Sequence, residues 1–298
     1  MYPVIDLSDR TPEFPEQLGN REKYWFRVDD RLYLFKVGRP GTGENWAEKI
    51  AAGLAELLGL PHAGYDFAIW RGRKGVWSPS IKPEGARLIL GNELLAGIHA
   101  GYPRHEVSRV REHSLGRIHA LLSSPEIACP PDWPAPEGVT TAFDLFVGYL
   151  LFDAWIANQD RHHENWPLIS HQDMIYLAPT FDHAAYMGQN ETDETRKDRL
   201  TTKPSGRRIS NYVTKARSAI YDHKASEKPL LNLELFEQAA RRSPVAANAW
   251  LARLARVEDS QCGQLFDPLP PGEASTLARD FALALFSLNR MRLLALKP

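Results

Sequence analysis

The sequence predicts an α+β fold of two lobes, with a small β-rich lobe first and a larger, mostly helical lobe after it. The length of 298 residues suits one large domain or two lobes. Aromatic and β-branched segments separated by turns dominate the first part of the chain. Helical periodicity prevails from about Gly91 onward. We therefore predict an N-terminal lobe at residues 1–90 and a C-terminal lobe at residues 91–298.

The predicted N-terminal lobe contains two pairs of strands and one helix. The strands are rich in aromatic and β-branched residues and are predicted at 23–28, 32–37, 65–70 and 75–78. A loop rich in Gly and Pro, residues 38–43, follows the second strand. Trp46 and Ile50 then begin a pattern of helical spacing, and Gly59 is the expected C-terminal cap of that helix.

The predicted C-terminal lobe is helical apart from one hairpin. An apolar helix over residues 146–155 leads into a polar loop, and two strands are predicted after it, at 166–169 and 174–177. The Pro-rich stretch 125–136 is interpreted as a surface loop between helices. The pattern of residues 277–296 is amphipathic, which predicts a terminal helix that packs on the body of the protein.

Composition and charge exclude several classes of protein. The two cysteines, Cys129 and Cys262, are far apart, which excludes a disulfide-rich scaffold and a cysteine-based zinc module. The net charge is −1, so we expect no direct binding to DNA. Hydrophobic residues make up 43% of the chain, which excludes disorder. We expect a cytoplasmic protein without a membrane partner, because the sequence shows neither a signal peptide nor a membrane-spanning stretch.

Three polar residues around the predicted hairpin indicate phosphoryl transfer. Asp160 and Asn165 follow the apolar helix and Asp182 follows the hairpin, so we expect the three side chains to lie close together. Phosphoryl transfer needs a carboxylate that accepts the proton of the attacking hydroxyl, and hard oxygen ligands for Mg²⁺. The spacing between Asp160 and Asn165 equals that of a protein-kinase catalytic loop. Asp182 lies where the metal-binding aspartate of a kinase lies.

These residues resemble the signature of HipA-like serine/threonine kinases, the toxin kinases of bacterial toxin–antitoxin systems. The matching stretches are Asn158-x-Asp160-Arg161-His162-x-x-Asn165 and Phe181-Asp182-His183-Ala184. The resemblance covers recognisable pieces of about residues 15–190. It implies a bilobal protein-kinase-like fold, Asp160 as the catalytic base and Asn165 and Asp182 as Mg²⁺ ligands.

The resemblance implies further ATP-binding residues, most of them in the N-terminal lobe. Lys36 lies on the strand that carries the ATP-contacting lysine of these kinases, and Glu48 is its expected helix partner. The stretch from Gly19 to Lys23 occupies the place of the family's phosphate-covering loop, and both residues are expected to bind ATP. His162 is expected to line the nucleotide pocket.

Two residue choices stay open at this point. Glu44 lies one turn before Glu48 and competes for Lys36, although its position suits a charge at the helix start better. The histidines suggest a zinc site, but their spacing fits no standard zinc motif.

The chain departs from the family in two respects. By the resemblance, we expect a compact form without the extra N-terminal subdomain of longer members, which leaves the contact with an antitoxin open. The stretch 19–23 contains no serine or threonine, so inactivation by phosphorylation of that loop is not expected.

The predicted function is that of an ATP- and Mg²⁺-dependent HipA-like Ser/Thr protein kinase that acts as a growth-arresting toxin. The resemblance implies a protein target such as an aminoacyl-tRNA synthetase or another translation factor, and a separately encoded antitoxin. The basic segment 196–217 follows Asp182 and is a candidate surface for the substrate, or simply a solvated loop. The alternatives are a lipid or small-metabolite kinase and a non-catalytic nucleotide-binding regulatory module.

Overall fold

The computed structural model describes residues 1–17 and 21–297. A six-stranded sheet with one long helix forms the N-terminal part, and helices around a four-stranded sheet form the C-terminal part. The predicted α+β class, with the β-rich part first, is confirmed. The boundary at residue 90 stays a prediction.

The N-terminal sheet is mostly antiparallel and has the strand order β1-β5-β6-β4-β3-β2. Its strands are β1 (Val4–Asp6), β2 (Phe14–Pro15), β3 (Lys23–Val28), β4 (Arg31–Val37), β5 (Asp66–Trp70) and β6 (Arg73–Pro79). The four predicted strands are confirmed as β3 to β6. β1 and β2 were not predicted, because strands of three and two residues are too short to show an alternating pattern.

The register of the sheet brings two lysines together at its edge towards the C-terminal part. Lys23 on β3 lies opposite Lys36 on β4, so their side chains share one face. The neighbouring Phe35 points to the other face, where it joins an aromatic cluster that includes Trp70 and Trp77. The alternation along β4 therefore buries Phe35 and directs Lys36 towards the helix that follows.

That helix is α1 (Glu44–Leu58), and it joins the sheet to the main core. Ile50 and Leu54 are fully buried in this core. Gly59 ends the helix in the left-handed conformation at φ 73°, which a glycine adopts without steric cost, as predicted. Glu44 and Glu48 are also buried on α1, which requires that each carboxylate has a partner.

The C-terminal part is built around the central helix α4. Its helices are α2 (Gly91–Ile98), α3 (Leu115–Leu122), α4 (Ala142–Ile156), α5 (Asp193–Thr201), α6 (Ile209–Val213), α7 (Asn232–Arg242), α8 (Pro244–Arg256), α9 (Asp259–Gln264) and α10 (Thr276–Leu294), with a 3₁₀ turn at Ser205–Arg207. Every residue of α4 is buried, because α7, α8 and α10 pack around it. α10 confirms the predicted terminal helix. No helix in the described ranges is long and apolar enough to cross a membrane.

The second sheet carries the predicted hairpin. Its strands, in the order β7-β9-β10-β8, are β7 (Arg87–Ile89), β8 (Ile127–Ala128), β9 (Leu168–His171) and β10 (Met174–Leu177). The interpretation of residues 125–136 as a plain loop is wrong at β8, which pairs in parallel with β10. The partner strand is distant in sequence, so no local pattern indicates this pairing.

Candidate active site

The loop after α4 presents the half-exposed side chain of Asp160. The helix ends at Ala157, which adopts φ 59° and turns the chain out of the helical path. The side chain of Asn158 then accepts a hydrogen bond from the backbone N–H of Asp160 at 2.6 Å. Asn165 Nδ2 donates to the carbonyl oxygen of Asp160 at 2.7 Å. The backbone of Asp160 is thus held from both sides, while 51% of its side chain is exposed.

A buried ion pair lies beneath this loop. Arg161 donates through Nε and Nη2 to the two carboxylate oxygens of Asp153, at 2.7 and 2.6 Å. Its Nη1 donates to the carbonyl oxygen of Asn165 at 3.0 Å. Asn232, at the start of α7, donates to the carbonyl oxygen of Asn158. Asp153 and Asn232 were not predicted; an aspartate inside an otherwise apolar helix was the only signal for Asp153.

Asp182 lies opposite the loop and is bound by cations from the N-terminal sheet. It adopts φ 57°, and its backbone N–H donates to Tyr65 Oη at 3.1 Å. Lys36 Nζ donates to its carboxylate, and Lys23 Nζ lies 3.9 Å from the other oxygen. The predicted residues Lys23, Lys36 and Asp182 are therefore together in the structure.

Glu48 connects Lys36 to the segment that carries Asp182. One carboxylate oxygen of Glu48 accepts a hydrogen bond from Lys36 Nζ at 2.8 Å, and the other accepts one from the backbone N–H of His183 at 2.8 Å. The competing carboxylate of Glu44 instead accepts a hydrogen bond from Arg21. Glu44 and Glu48 therefore bind different cations in the structure. Arg21 was not predicted as a site residue.

The charges of this cluster shift the pKa values of its members in opposite directions. Burial alone would lower the pKa of Lys36, but the carboxylates of Asp182 and Glu48 outweigh it, and the pKa is raised. Burial alone would raise the pKa of Asp182, but Lys36 and Lys23 hold it well below its usual value. Partial desolvation and the charge of Asp182 raise the pKa of Asp160 to about 6. Asp182 is therefore ionised at neutral pH, and Asp160 has a pKa suited to a general base.

His162 lies beside Asp160, whereas Gly19 lies outside the described residues. His162 Nε2 is 3.9 Å from Asp160 Oδ1, and its Nδ1 accepts a hydrogen bond from the backbone N–H of Glu164 at 3.2 Å. Desolvation lowers the pKa of His162, so the ring is neutral at pH 7. Asp182 and Lys36 act electrostatically on Asp160, so the predicted residues of the loop lie near those of the sheet, and we call the space between them the cleft.

The donor atoms at this cleft fit a magnesium ion that arrives with a phosphate. The amide nitrogen of Asn165 is bonded to Asp160, so its oxygen is the atom available for a cation. Among residues 1–17 and 21–297, no group of three or more His, Cys, Asp or Glu residues could hold a metal by itself. Mg²⁺ typically uses one or two carboxylates together with phosphate oxygens and water. The oxygens of Asp182 and Asn165 match that chemistry.

The basic segment 196–217 exposes less unpaired positive charge than its sequence suggests, because acids pair with several of its arginines. Three of its arginines form ion pairs with acids: Arg196 with Asp193 at 2.6 Å, Arg199 with Glu191 at 3.4 Å and Arg207 with Asp198 at 2.9 Å. Lys197, Lys203 and Lys215 are exposed. The positive charge that this segment offers to a partner therefore comes mainly from these lysines and from Arg208, which is exposed and donates to the carbonyl oxygen of Thr202.

Two solved kinase structures are similar to this chain. The proinflammatory kinase CtkA of Helicobacter pylori has 16% sequence identity and a TM-score of 0.70, with 98% of both chains covered. HipA of Shewanella oneidensis MR-1, from a complex with HipB and operator DNA, has 13% identity and a TM-score of 0.57, with 96% of this chain and 66% of that chain covered. No protein-family model and no curated protein matches the sequence.

These similarities concern the fold, because the identities are low. The chain spans the whole length of CtkA and about two thirds of HipA. The kinase-like fold implied by the motif around Asp160, Asn165 and Asp182 is confirmed by these two structures. The protein has the fold of HipA-like kinases in a form the size of CtkA.

Proposed function

We propose that this protein is a HipA-like kinase that transfers the terminal phosphoryl group of ATP to a serine or threonine hydroxyl of a protein. One observation carries the proposal: Asp160, on the loop with Asn165, lies within electrostatic reach of an ion network of Lys36, Glu48 and Asp182. Phosphoryl transfer depends on positioning and charge compensation, and this cluster provides both.

The residues of the cleft would divide the work as follows. Asp160 accepts the proton of the attacking hydroxyl, because its pKa of about 6 leaves it mainly ionised at neutral pH and still basic. Lys36 binds phosphate oxygens, and Glu48 holds its ammonium group in place. When bound, Mg²⁺ would neutralise phosphate charge, with Asn165 and Asp182 as its protein ligands.

Three further residues complete the proposed ATP site. Lys23 lies next to Lys36 in the sheet and adds a second positive charge near the phosphates. Gly19, two residues before Arg21, belongs to the proposed phosphate-covering loop. His162 stands beside Asp160 as a neutral ring and would line the nucleotide pocket.

The proposed target is a protein of the translation apparatus such as an aminoacyl-tRNA synthetase, whose phosphorylation arrests growth. The similarity to HipA, which was solved together with HipB, supports a separately encoded antitoxin as a partner. A catalytic role is preferred to a purely regulatory one, because Asp160, Lys36 and Asp182 are all present in the cleft. A lipid or small-metabolite acceptor would give a product other than phosphoprotein.

An Asp160→Ala variant tests the proposal. The purified protein and the variant are incubated with γ-labelled ATP, Mg²⁺ and a bacterial lysate, and the labelled proteins are identified by mass spectrometry of phosphopeptides. We expect transfer to be lost in Asp160→Ala and kept in Asp173→Ala, which removes an exposed carboxylate from the β9–β10 turn. Equal labelling by Asp160→Ala would refute the proposal, and label found only in lipids or metabolites would refute the protein acceptor.

A further inference from the structure

Arg21 reaches from the edge of the N-terminal sheet to the first turn of α1. Its Nη2 donates to Oε1 of Glu44, which is only 3% exposed. The other oxygen of Glu44 accepts a hydrogen bond from the backbone N–H of Arg39 at 3.1 Å. The carboxylate is therefore held at both oxygens, and it holds one side of the Arg21 guanidinium in turn.

The other amino group of this guanidinium has no such partner. Nη1 of Arg21 is buried and has no hydrogen-bond acceptor among the described residues. A buried charged donor without an acceptor is costly, and such atoms in native proteins often mark the place of a ligand or water. Arginine stays protonated in proteins, so this cost cannot be relieved by loss of a proton.

The surroundings of Arg21 indicate which acceptor would satisfy it. Arg39 and the carboxylates of Asp182, Glu48 and Asp160 all act electrostatically on the guanidinium. These acids belong to the proposed phosphate and metal site, and Asp160 is where the transferred phosphoryl group would leave the nucleotide. Arg21 is thus placed on the side of the cleft where the last phosphate of a nucleotide would end.

α1 carries this arginine in the same way as it carries Lys36. Glu44 and Glu48 are four residues apart, so their side chains leave the helix on one face, one turn from each other. Glu44 holds Arg21, and Glu48 holds Lys36 at 2.8 Å. One helix therefore positions two cations over the cleft.

Lys36 and Arg21 differ in the bonds that they would have to give up in order to bind a phosphate. Lys36 already donates to Asp182 as well as to Glu48, so a phosphate must compete with a carboxylate for its ammonium group. Arg21 can keep Glu44 on Nη2 and still offer Nη1. The planar fork of an arginine suits simultaneous bonds to two anions.

We propose that Arg21, held by Glu44, binds the terminal phosphate of a nucleoside triphosphate and distinguishes it from a diphosphate. This inference rests on the proposed kinase function. It adds to the Lys36–Glu48 pair a second acid–cation pair on α1 with a separate task, the recognition of the third phosphate.

Calorimetric titration tests the inference with three probes in the presence of MgCl₂: the non-hydrolysable ATP analogue AMP-PNP, ADP and AMP. We expect Arg21→Ala to weaken AMP-PNP binding by about 10- to 100-fold, the loss of one charge-assisted hydrogen bond. Binding of ADP and AMP should change by less than about threefold. Arg21 would make no direct contact with them and would act only through a weak charge interaction screened by solvent. Arg27→Ala is the matched control, because Arg27 lies at the other end of β3, next to the β3–β4 turn, and pairs with Glu13 at 2.7 Å.

The second variant, Glu44→Gln, tests whether Glu44 positions Arg21. It does not remove the proposed phosphate contact itself. Its AMP-PNP affinity should fall as well, but less than in Arg21→Ala, with ADP affinity preserved. Arg21→Gln guards against a folding defect, since its amide can still donate to Glu44, and thermal unfolding is measured for every variant.

The possible results separate the inference from the function on which it rests. Unchanged AMP-PNP affinity in Arg21→Ala and Arg21→Gln would overturn the inference alone, as would an equal loss for all three nucleotides. Failure of the unaltered protein to bind any of them would overturn the proposed function, and the inference with it.

Discussion

The two sides of the cleft are held in contrasting ways. Below it, the loop with Asp160 rests on Asp153, Arg161 and Asn232, which bind one another and the backbone in the interior. Above it, Lys36 and Arg21 are bound to acids, and among the described residues Nη1 of Arg21 has no acceptor of its own. The network beneath Asp160 is buried and satisfied within the protein, whereas the upper side is built from bonds that a ligand can replace.

This difference shows how one site can hold a catalytic base in a fixed position and still let its cations change partners when a ligand binds. A catalytic base must stay in position before a substrate arrives, and the buried network beneath Asp160 provides that position. Cations that bind phosphate must give up an existing partner or hold a free donor. The pair of Lys36 with Asp182 is of the first kind, and the Nη1 group of Arg21 is of the second.

Breaking the buried network of Asp153, Arg161 and Asn232 should have the largest effect of these variants, and the quantity affected should be the free energy of unfolding. Asp153→Ala leaves the buried guanidinium of Arg161 without its carboxylate, which typically costs about 3–5 kcal/mol. We expect the free energy of unfolding in urea to fall by that order, and the loop with Asp160 to lose its position.

The matched control for that variant is Glu237→Ala, which removes the acid of an exposed pair with Arg241 on α7. Its unfolding free energy should change by no more than about 0.5 kcal/mol. Similar losses in the two variants would show that burial does not distinguish the lower side of the cleft.

Changing the upper side should affect ligand binding and leave the fold intact. Asp182→Asn removes the carboxylate from Lys36, which keeps Glu48 as its partner. We expect Mg²⁺-dependent AMP-PNP binding to weaken by roughly 10- to 100-fold, because a charged ligand is replaced by a neutral one. Calorimetry with and without Mg²⁺ measures this effect, and unchanged affinity in Mg²⁺ would contradict the metal assignment.

The smallest expected effect is the electrostatic coupling between the two sides. Asp160 has its pKa raised to about 6, by desolvation and then by Asp182. The proposed base acts when it is ionised, so kcat/KM should rise with pH through about 6 and level off above it.

Carbon-13 NMR of the Asp160 carboxyl group measures the same coupling without catalysis. The midpoint should lie near pH 6 in the unaltered protein and lower in Asp182→Asn, because the repelling charge is gone. A midpoint near 4 in the unaltered protein, or one that Asp182→Asn does not lower, would show that the two carboxylates do not interact.

Much of the fold and several site residues could be predicted from local patterns. β3, β4 and α1 have clear periodicity and turn residues, and the spacing of Asp160, Asn165 and Asp182 is itself a sequence feature. The strands that were missed or misread are short or pair over long distances. β8 is the clearest case, because the strand it pairs with is β10, far along the chain.

The sequence by itself determined the order of elements and the set of charged groups, since periodicity and spacing are properties of neighbouring residues. Only the tertiary structure decided which charges meet. Glu44 and Glu48 are equivalent in the helical pattern, and packing of α1 on the sheet gives one to Arg21 and the other to Lys36. It likewise paired three arginines of the basic segment with acids. The physical reason is that an ion pair depends on distance in space, which the order of residues does not contain.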